Sequence, residues 1–180
     1  MISDDYKKQY PHLKKFWPYV DVLNEESPRG KVLVSTGFLE EQLKQILMAF
    51  SADCPQALEL IEGGNAPLGT MSARITACYA FGLITKDEHD DLHLVRRIRN
   101  EFAHDIHTTF DTQSVANRCR ELKHSAKDNP ATEANLGPMP TASQFYTAAV
   151  ALIMNLINRP NAVSKEKRQV GKWRHHKVFD

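Results

Sequence analysis

The segment TKDEHDDLHLVRRIRNEFAHD, residues 85–105, decides the fold. It opens on Thr85-Lys86-Asp87-Glu88, the spacing of a capping box. In that device the Thr85 hydroxyl accepts from the Glu88 amide, and the Glu88 carboxylate reaches back to the Thr85 amide. Behind this start, Leu92, Val95, Ile98 and Phe102 recur three and four residues apart, the rhythm of one buried helical face. The same wheel places Arg99 inside the apolar arc, between Val95, Phe102 and Ala103 on one side and Leu92 on the other. A guanidinium does not lose its charge, so a buried Arg99 demands a carboxylate or carbonyl partner. Glu40, which borders the apolar stripe of an earlier segment, is the candidate. His104 falls at the helix end, where the macrodipole favours an imidazolium.

Helical spacing continues outward from this segment. Pro28 suits a first helical turn, and Val32, Leu39, Leu43, Ile46, Leu47 and Phe50 then share one stripe. Pro55 to Glu62 reads as a short helix stopped by Gly63-Gly64. Pro67 is expected to open another, with Leu68, Met71, Ile75, Cys78, Tyr79 and Gly82 on its buried face. Asp111 or Thr112 caps a short helix running to Leu122, and Lys123 to Pro140 is loop-like. Thr141 to Asn158 makes a final, nearly all-apolar helix through Phe145, Ala148, Ala149, Leu152, Ile153 and Leu156. The aromatic-rich start, Tyr6 to Leu23, carries Pro11 and Pro18 and is expected to form one or two short helices. No strand alternation or hairpin dipeptide interrupts this pattern, so the expected fold is all-α, a single bundle of six or seven helices. Three segments follow: a helical N-terminal piece over 1–27, the helical domain over 28–160, and a tail over 161–180.

Composition limits the function. With 180 residues, 42% hydrophobic and 25% charged, the chain has enough apolar content for one folded domain without a stabilising metal or disulfide. The formal charge of +1 argues against a surface that is basic all over. That total is uneven: Ser164 to Asp180 holds six cations against two acids, a net of +4, which leaves −3 for the rest. Cys54, Cys78 and Cys119 are scattered, as free thiols in a reducing compartment are. The longest apolar run, Ala148 to Met154, is far below the ~20 residues of a membrane span. With no signal peptide visible at the N-terminus, the expected location is cytoplasmic.

Arg99, Asn100 and His104 form the sharpest chemical constellation. On one reading Arg99 ties two helices and His104 closes a helix end. On the other they line a polar cleft where Arg99 holds a phosphate and His104 serves as acid or base in RNA cleavage. Arg99-Asn100-x-x-x-His104 resembles the R-N-x-x-x-H motif of the HEPN superfamily, which implies a metal-independent RNase acting from a dimer cleft. A wider pattern is also present: Pro67-Leu68-Gly69-x-x-Ser72-x-Arg74, then Tyr79-x-x-Gly82-Leu83-Ile84, then Glu88 through Arg99 and His104-Asp105. Over about residues 30–122 this is similar to the mannitol operon repressor (MtlR-like) family. That resemblance implies an all-helical, non-enzymatic regulator of transcription, one that works through protein contacts and has no recognised helix-turn-helix. The N-terminal region and the basic tail depart from the family pattern.

The remaining signals are weaker. His89 and His93 stand four apart, but Asp90 replaces the Glu of a zinc-protease motif and no thiolate is near, so no metal or other cofactor is expected. Arg74 flanks an apolar stripe and either pairs with an acid such as Asp87 or Glu88 or joins Arg99 in binding. In the tail, Lys172, Trp173 and Arg174 interleave cations with an aromatic ring, which suits contact with phosphates and a base. The partners expected are a protein (a regulator, a toxin or a phosphotransfer component), a second copy of the chain, or nucleic acid at the Arg99/His104 cleft or the tail. A toxin partner would make this chain an immunity protein or antitoxin.

Overall fold

A computed structural model describes residues 16–126, 138–167 and 169–171, together with Gln9 and Lys14. The regular elements among the described residues are all helices, with no strand. The helices are α1 (Trp17–Glu25), α2 (Pro28–Phe50), α3 (Pro55–Ile61), α4 (Met71–Ala80), α5 (Lys86–His104), α6 (Gln113–Glu121), α7 (Thr141–Leu156) and the five-residue α8 (Arg159–Val163). A 3-10 turn, Ser164–Glu166, follows α8. The all-α bundle expected from the sequence is what forms.

The 23-residue α2 is the axle of the bundle. It begins where Ser27 accepts the Gly30 amide and Pro28 occupies the first turn, where a missing N–H costs nothing. Six other helices, α1, α3, α4, α5, α7 and α8, pack around it. Val32, Leu39, Leu43 and Ile46 lose all solvent contact there. Each such side chain contributes roughly 1.5–3 kcal/mol by leaving water. α7 closes one side of the core with Phe145, Ala148, Ala149 and Leu152, and Phe110 bridges Phe102 of α5 to Phe145. Trp17 and Tyr19 of α1 belong to the same core, and the Tyr19 hydroxyl lies 2.9 Å from Ser35 Oγ.

The start of α5 is the capping box read from the sequence, with both reciprocal hydrogen bonds present. Glu88 also does something the sequence did not show. It is 2% exposed, and it takes both Nη atoms of Arg159, 71 residues later, at 2.7 and 2.8 Å. Arg159 also donates to the Leu83 carbonyl. Asp91, one turn on and fully buried, accepts from the amides of Lys123 and His124 and lies 2.8 Å from His124 Nδ1. These two carboxylates pin the C-terminal helices and the segment after α6 onto α5.

Several expectations need correction at helix ends. Pro67 does not open α4; it lies in a turn, and Thr70 caps the helix by accepting the Ala73 amide. Gly82 is not on a buried face. It follows the helix in the left-handed region, at φ +72°, where glycine carries no Cβ penalty. Tyr79 points outward, 41% exposed, against the His89 ring. Lys172, Trp173 and Arg174 lie outside the described residues, as do residues 127–137 of the segment expected to be loop-like.

Candidate functional site

The polar side of α5 from Arg96 to Asp105 carries the residues singled out by their chemistry. Arg99 is not in the core. The buried positions of α5 are Glu88, Asp91, Leu92, Val95, Ile98 and Phe102. Ala103, which made the apolar arc look wide enough to include Arg99, is exposed. One residue past Ile98 turns the chain by about 100°, and that places Arg99 in solvent. Its Nη1 donates to Asn100 Oδ1 at 3.3 Å and to no carboxylate among the described residues.

The partner assigned to Arg99 is held elsewhere. Glu40 accepts from Arg74 Nη1 at 3.1 Å. Arg74 is the arginine drawn inward: its side chain is 11% exposed. Nε donates to the Leu68 carbonyl at 2.9 Å and Nη2 to the Ile61 carbonyl at 3.2 Å. One planar fork thus joins α2, the end of α3 and the turn before α4. The planar array of donors explains why arginine suits this position and a single ammonium would not. Neither Asp87 nor Glu88 pairs with it; Asp87 takes Lys123 and Glu88 takes Arg159.

Two depressions meet along α5 at Asn100. One, of about 300 Å³, lies between α2, the N-terminus of α4 and α5, with Arg96 and Arg99 on its wall. The other, about 450 Å³, has Asn100, Glu101, His104, Asp105 and Ser114 on its rim. His104 is exposed in the last helical turn, as the sequence placed it. Beside it, Glu101 accepts from Ser114 Oγ and pairs with Arg118. Burial raises the Glu101 carboxyl, but Ser114 and Arg118 outweigh it and hold the group below the usual 4.5. On the far side Arg29 donates to the carbonyls of Asp105 and Ile106 at 2.9 and 2.8 Å and stacks over the Phe102 ring. Those contacts fix the C-terminal end of the helix on which His104 stands.

A second polar surface lies further toward the start of α5. His89 and His93 stack edge-to-face with centroids 4.6 Å apart, and His89 Nδ1 lies 3.0 Å from Asp90 Oδ1. Burial, then the charges of His89, Arg96 and Arg97, pushes the His93 pKa below 6.5. Lys86, His89 and Lys123 hold the Asp90 carboxyl far below the carboxylate range. Asp90 is thus neutralised by cations within the protein. Among the described residues, no group of three His, Cys, Asp or Glu side chains is arranged to hold a metal.

Sequence reasoning missed Arg96, whose Nε is buried without a hydrogen-bond partner. The signal was present: Arg96 and Asn100 are four apart and therefore share a helix face. It also missed Arg29, Arg118 and Arg159, whose partners are distant in the chain. No helix among the described residues is long and apolar enough to cross a membrane.

No family model matches the chain. A 49-residue stretch, 27% of this chain, is 37% identical to the mannitol operon repressor of Escherichia coli strain K12, and equally to that of strain O6:H1. The match spans a quarter of the length of those relatives. Over 81% of this chain and 95% of the other, the fold superposes on the X-ray structure of the MtlR-HPr complex from Escherichia coli, with a TM-score of 0.53 and 20% identity. The chain therefore shares the helical fold of that structure, and over about a quarter of its length it is similar in sequence to mannitol operon repressors.

Proposed function

We propose that this protein is a non-enzymatic regulator that works by binding another protein, and that its partner is a small phosphotransfer protein of the HPr type. The observation that carries this reading is the fold shared along nearly the whole of a chain from the MtlR-HPr complex. The 49-residue similarity to mannitol operon repressors is in keeping with it. So is the use made of the wider pattern quoted above: Leu68 and Arg74 serve to lock three helices together. That pattern therefore supports a scaffold that presents a surface. The test is titration calorimetry with a purified HPr-type protein, phosphorylated and unphosphorylated. A saturable complex with Kd of about 10 μM or tighter is the expected result. Absence of heat with both forms, at about 100 μM of each component, would overturn the partner assignment.

A second reading has its own observation. Arg99 and His104 are both exposed on one helix, and the depressions they line share Asn100. That arrangement supports an RNase of the HEPN type, in which the guanidinium binds a phosphate and the imidazole moves a proton. Incubation of the protein with single-stranded RNA in a metal chelator tests it. Cleavage by the wild-type chain that disappears in a folded His104→Ala variant is required; RNA left intact by the wild type refutes it.

A further inference from the structure

His89 has one ring nitrogen fixed and the other free. Nδ1 lies 3.0 Å from Asp90 Oδ1, and Asp90, ionised beside Lys86 and Lys123, can only accept. The imidazole proton therefore sits on Nδ1, and the lone pair is on Nε2, which has no hydrogen-bond partner among the described residues. The rings of Tyr79 and His93, each with its centroid 4.6 Å away, restrain the plane of the imidazole, yet the side chain keeps 23% of its exposure. A carboxylate that holds one nitrogen and aims the other is what prepares a histidine to act as a nucleophile. Among the described residues His93, His104 and His107 have no such carboxylate. His124 has one in Asp91, but it does not line the depression in which His89 stands. That depression, of about 550 Å³, also has His93, Arg96, Arg97 and Lys123 on its wall. Lys123 is engaged by Asp87 and Asp90, whereas Arg96 and Arg97 meet no carboxylate among the described residues. Glu121 is the one exposed acid on the wall. An aimed nucleophile and a set of cations thus share one concave surface, the combination that receives a group carrying oxyanions.

We propose that His89 is a phosphoryl acceptor, modified at Nε2 by a donor that carries the group on an imidazole nitrogen. The donor assignment rests on the phosphotransfer partner proposed above, and it adds to that reading a covalent mark left on this chain. In the step, the Nε2 lone pair forms a new N–P bond as the donor's N–P bond breaks. A donor ring that holds its second proton leaves as neutral imidazole. His89 keeps its own Nδ1 proton, so the product is a phosphoimidazolium whose positive ring faces the Asp90 carboxylate. Arg96, Arg97 and Lys123 are the cations on the same wall available to the phosphoryl oxygens. A phosphoryl group brings close to two negative charges, which compete with Asp87 and Asp90 for Lys123. The mark is thereby felt in the segment after α6, which Lys123 ties to α5. No part of this assignment uses Arg99 or His104.

The experiment treats the full chain with phosphoramidate, a small N-phosphoryl donor that needs no partner protein. Acid-labile phosphohistidine is located by peptide mass spectrometry over a time course. His89 is expected to be labelled at least about tenfold faster than His93, His104, His107 and His124, which serve as controls within the same molecule. Asp90→Asn, which keeps the shape but loses the carboxylate, should slow His89 about tenfold and leave the rate at His104 unchanged. Labelling of all five histidines at one rate, no label on His89, or a rate at His89 indifferent to Asp90→Asn in a folded variant would overturn the acceptor. A phosphorylated HPr-type protein is the second donor. It is expected to label the wild-type chain and to leave a folded His89→Gln variant unlabelled. Binding of that protein in calorimetry with no label on His89 would overturn transfer while the partner reading stands. Selective labelling by phosphoramidate with neither binding nor label from the HPr-type protein would overturn the partner as donor while the acceptor stands.

Discussion

Replacing Arg74 with alanine removes one side chain and leaves three acceptors without their donors. The Leu68 and Ile61 carbonyls lie where that side chain is 11% exposed, and each lost charge-assisted bond should cost about 1–1.5 kcal/mol. Glu40 is 34% exposed, so water replaces much of what Arg74 gives it, and its share is that of a half-solvated pair, about 0.5–1 kcal/mol. The sum is about 3 kcal/mol. For a chain of this length, that corresponds to a fall in Tm of about 6–12 °C. Arg99→Ala, with only a 3.3 Å contact to its neighbour Asn100, should stay within about 0.5 kcal/mol of wild type. Urea melts of both variants, with slopes compared to confirm a common two-state transition, measure the difference directly. A cost below about 1 kcal/mol for Arg74→Ala, or an equal cost for the two variants, would refute the division of labour between these arginines. Arg74→Lys separates charge from geometry, because one ammonium cannot span three acceptors; it should recover less than half of the loss.

Other outcomes follow from the buried polar groups. Glu88→Gln should destabilise by about 2–3 kcal/mol by orphaning the Arg159 fork, measurable by the same melts. Burial raises the Glu88 carboxyl, but the bonds from Arg159 and Thr85 prevail and hold it below 4.5 in the folded chain. Its contribution is therefore complete above the unfolded value and is lost as pH falls through the lower folded one, and the acid-unfolding curve of Glu88→Gln should lack that component. Asp91→Asn should loosen the segment after α6, seen as faster hydrogen exchange at the Lys123 and His124 amides. Burial pushes the thiols of Cys78 and Cys119 up to about 12, so at about pH 8 a thiol reagent should label Cys54 first and those two only after unfolding.

Periodicity found the helices because burial obeys a local rule: the residues that face α2 recur every three or four positions. Caps were legible for the same reason, and Thr85 with Glu88 needed only a spacing of three. Arg99 was misplaced because a helical wheel gives angles but not the width of the contact, and an exposed Ala103 made the apolar arc look broader than it is. Pairings were the least legible. Arg74 to Glu40 spans 34 residues and Arg159 to Glu88 spans 71, and no periodicity joins positions brought together only by the fold. His104 was legible at the helix end, whereas Arg96 was overlooked because charge on a helix is ordinarily solvated.

The Arg159–Glu88 clasp also bears on the order of folding. α5 begins with a carboxylate that is almost wholly removed from water, and the cation that justifies its burial emerges 71 residues later in synthesis. Until α8 arrives, the N-terminal end of α5 would hold a buried ion without its counterion, which favours leaving that end of α5 hydrated and open. Closing so long a loop costs entropy before the contact rewards it. The short C-terminal helix is thus a late-arriving keystone: a nascent chain cut before Arg159 should remain loosely packed around α5, and the bundle should close cooperatively only once that residue is in reach.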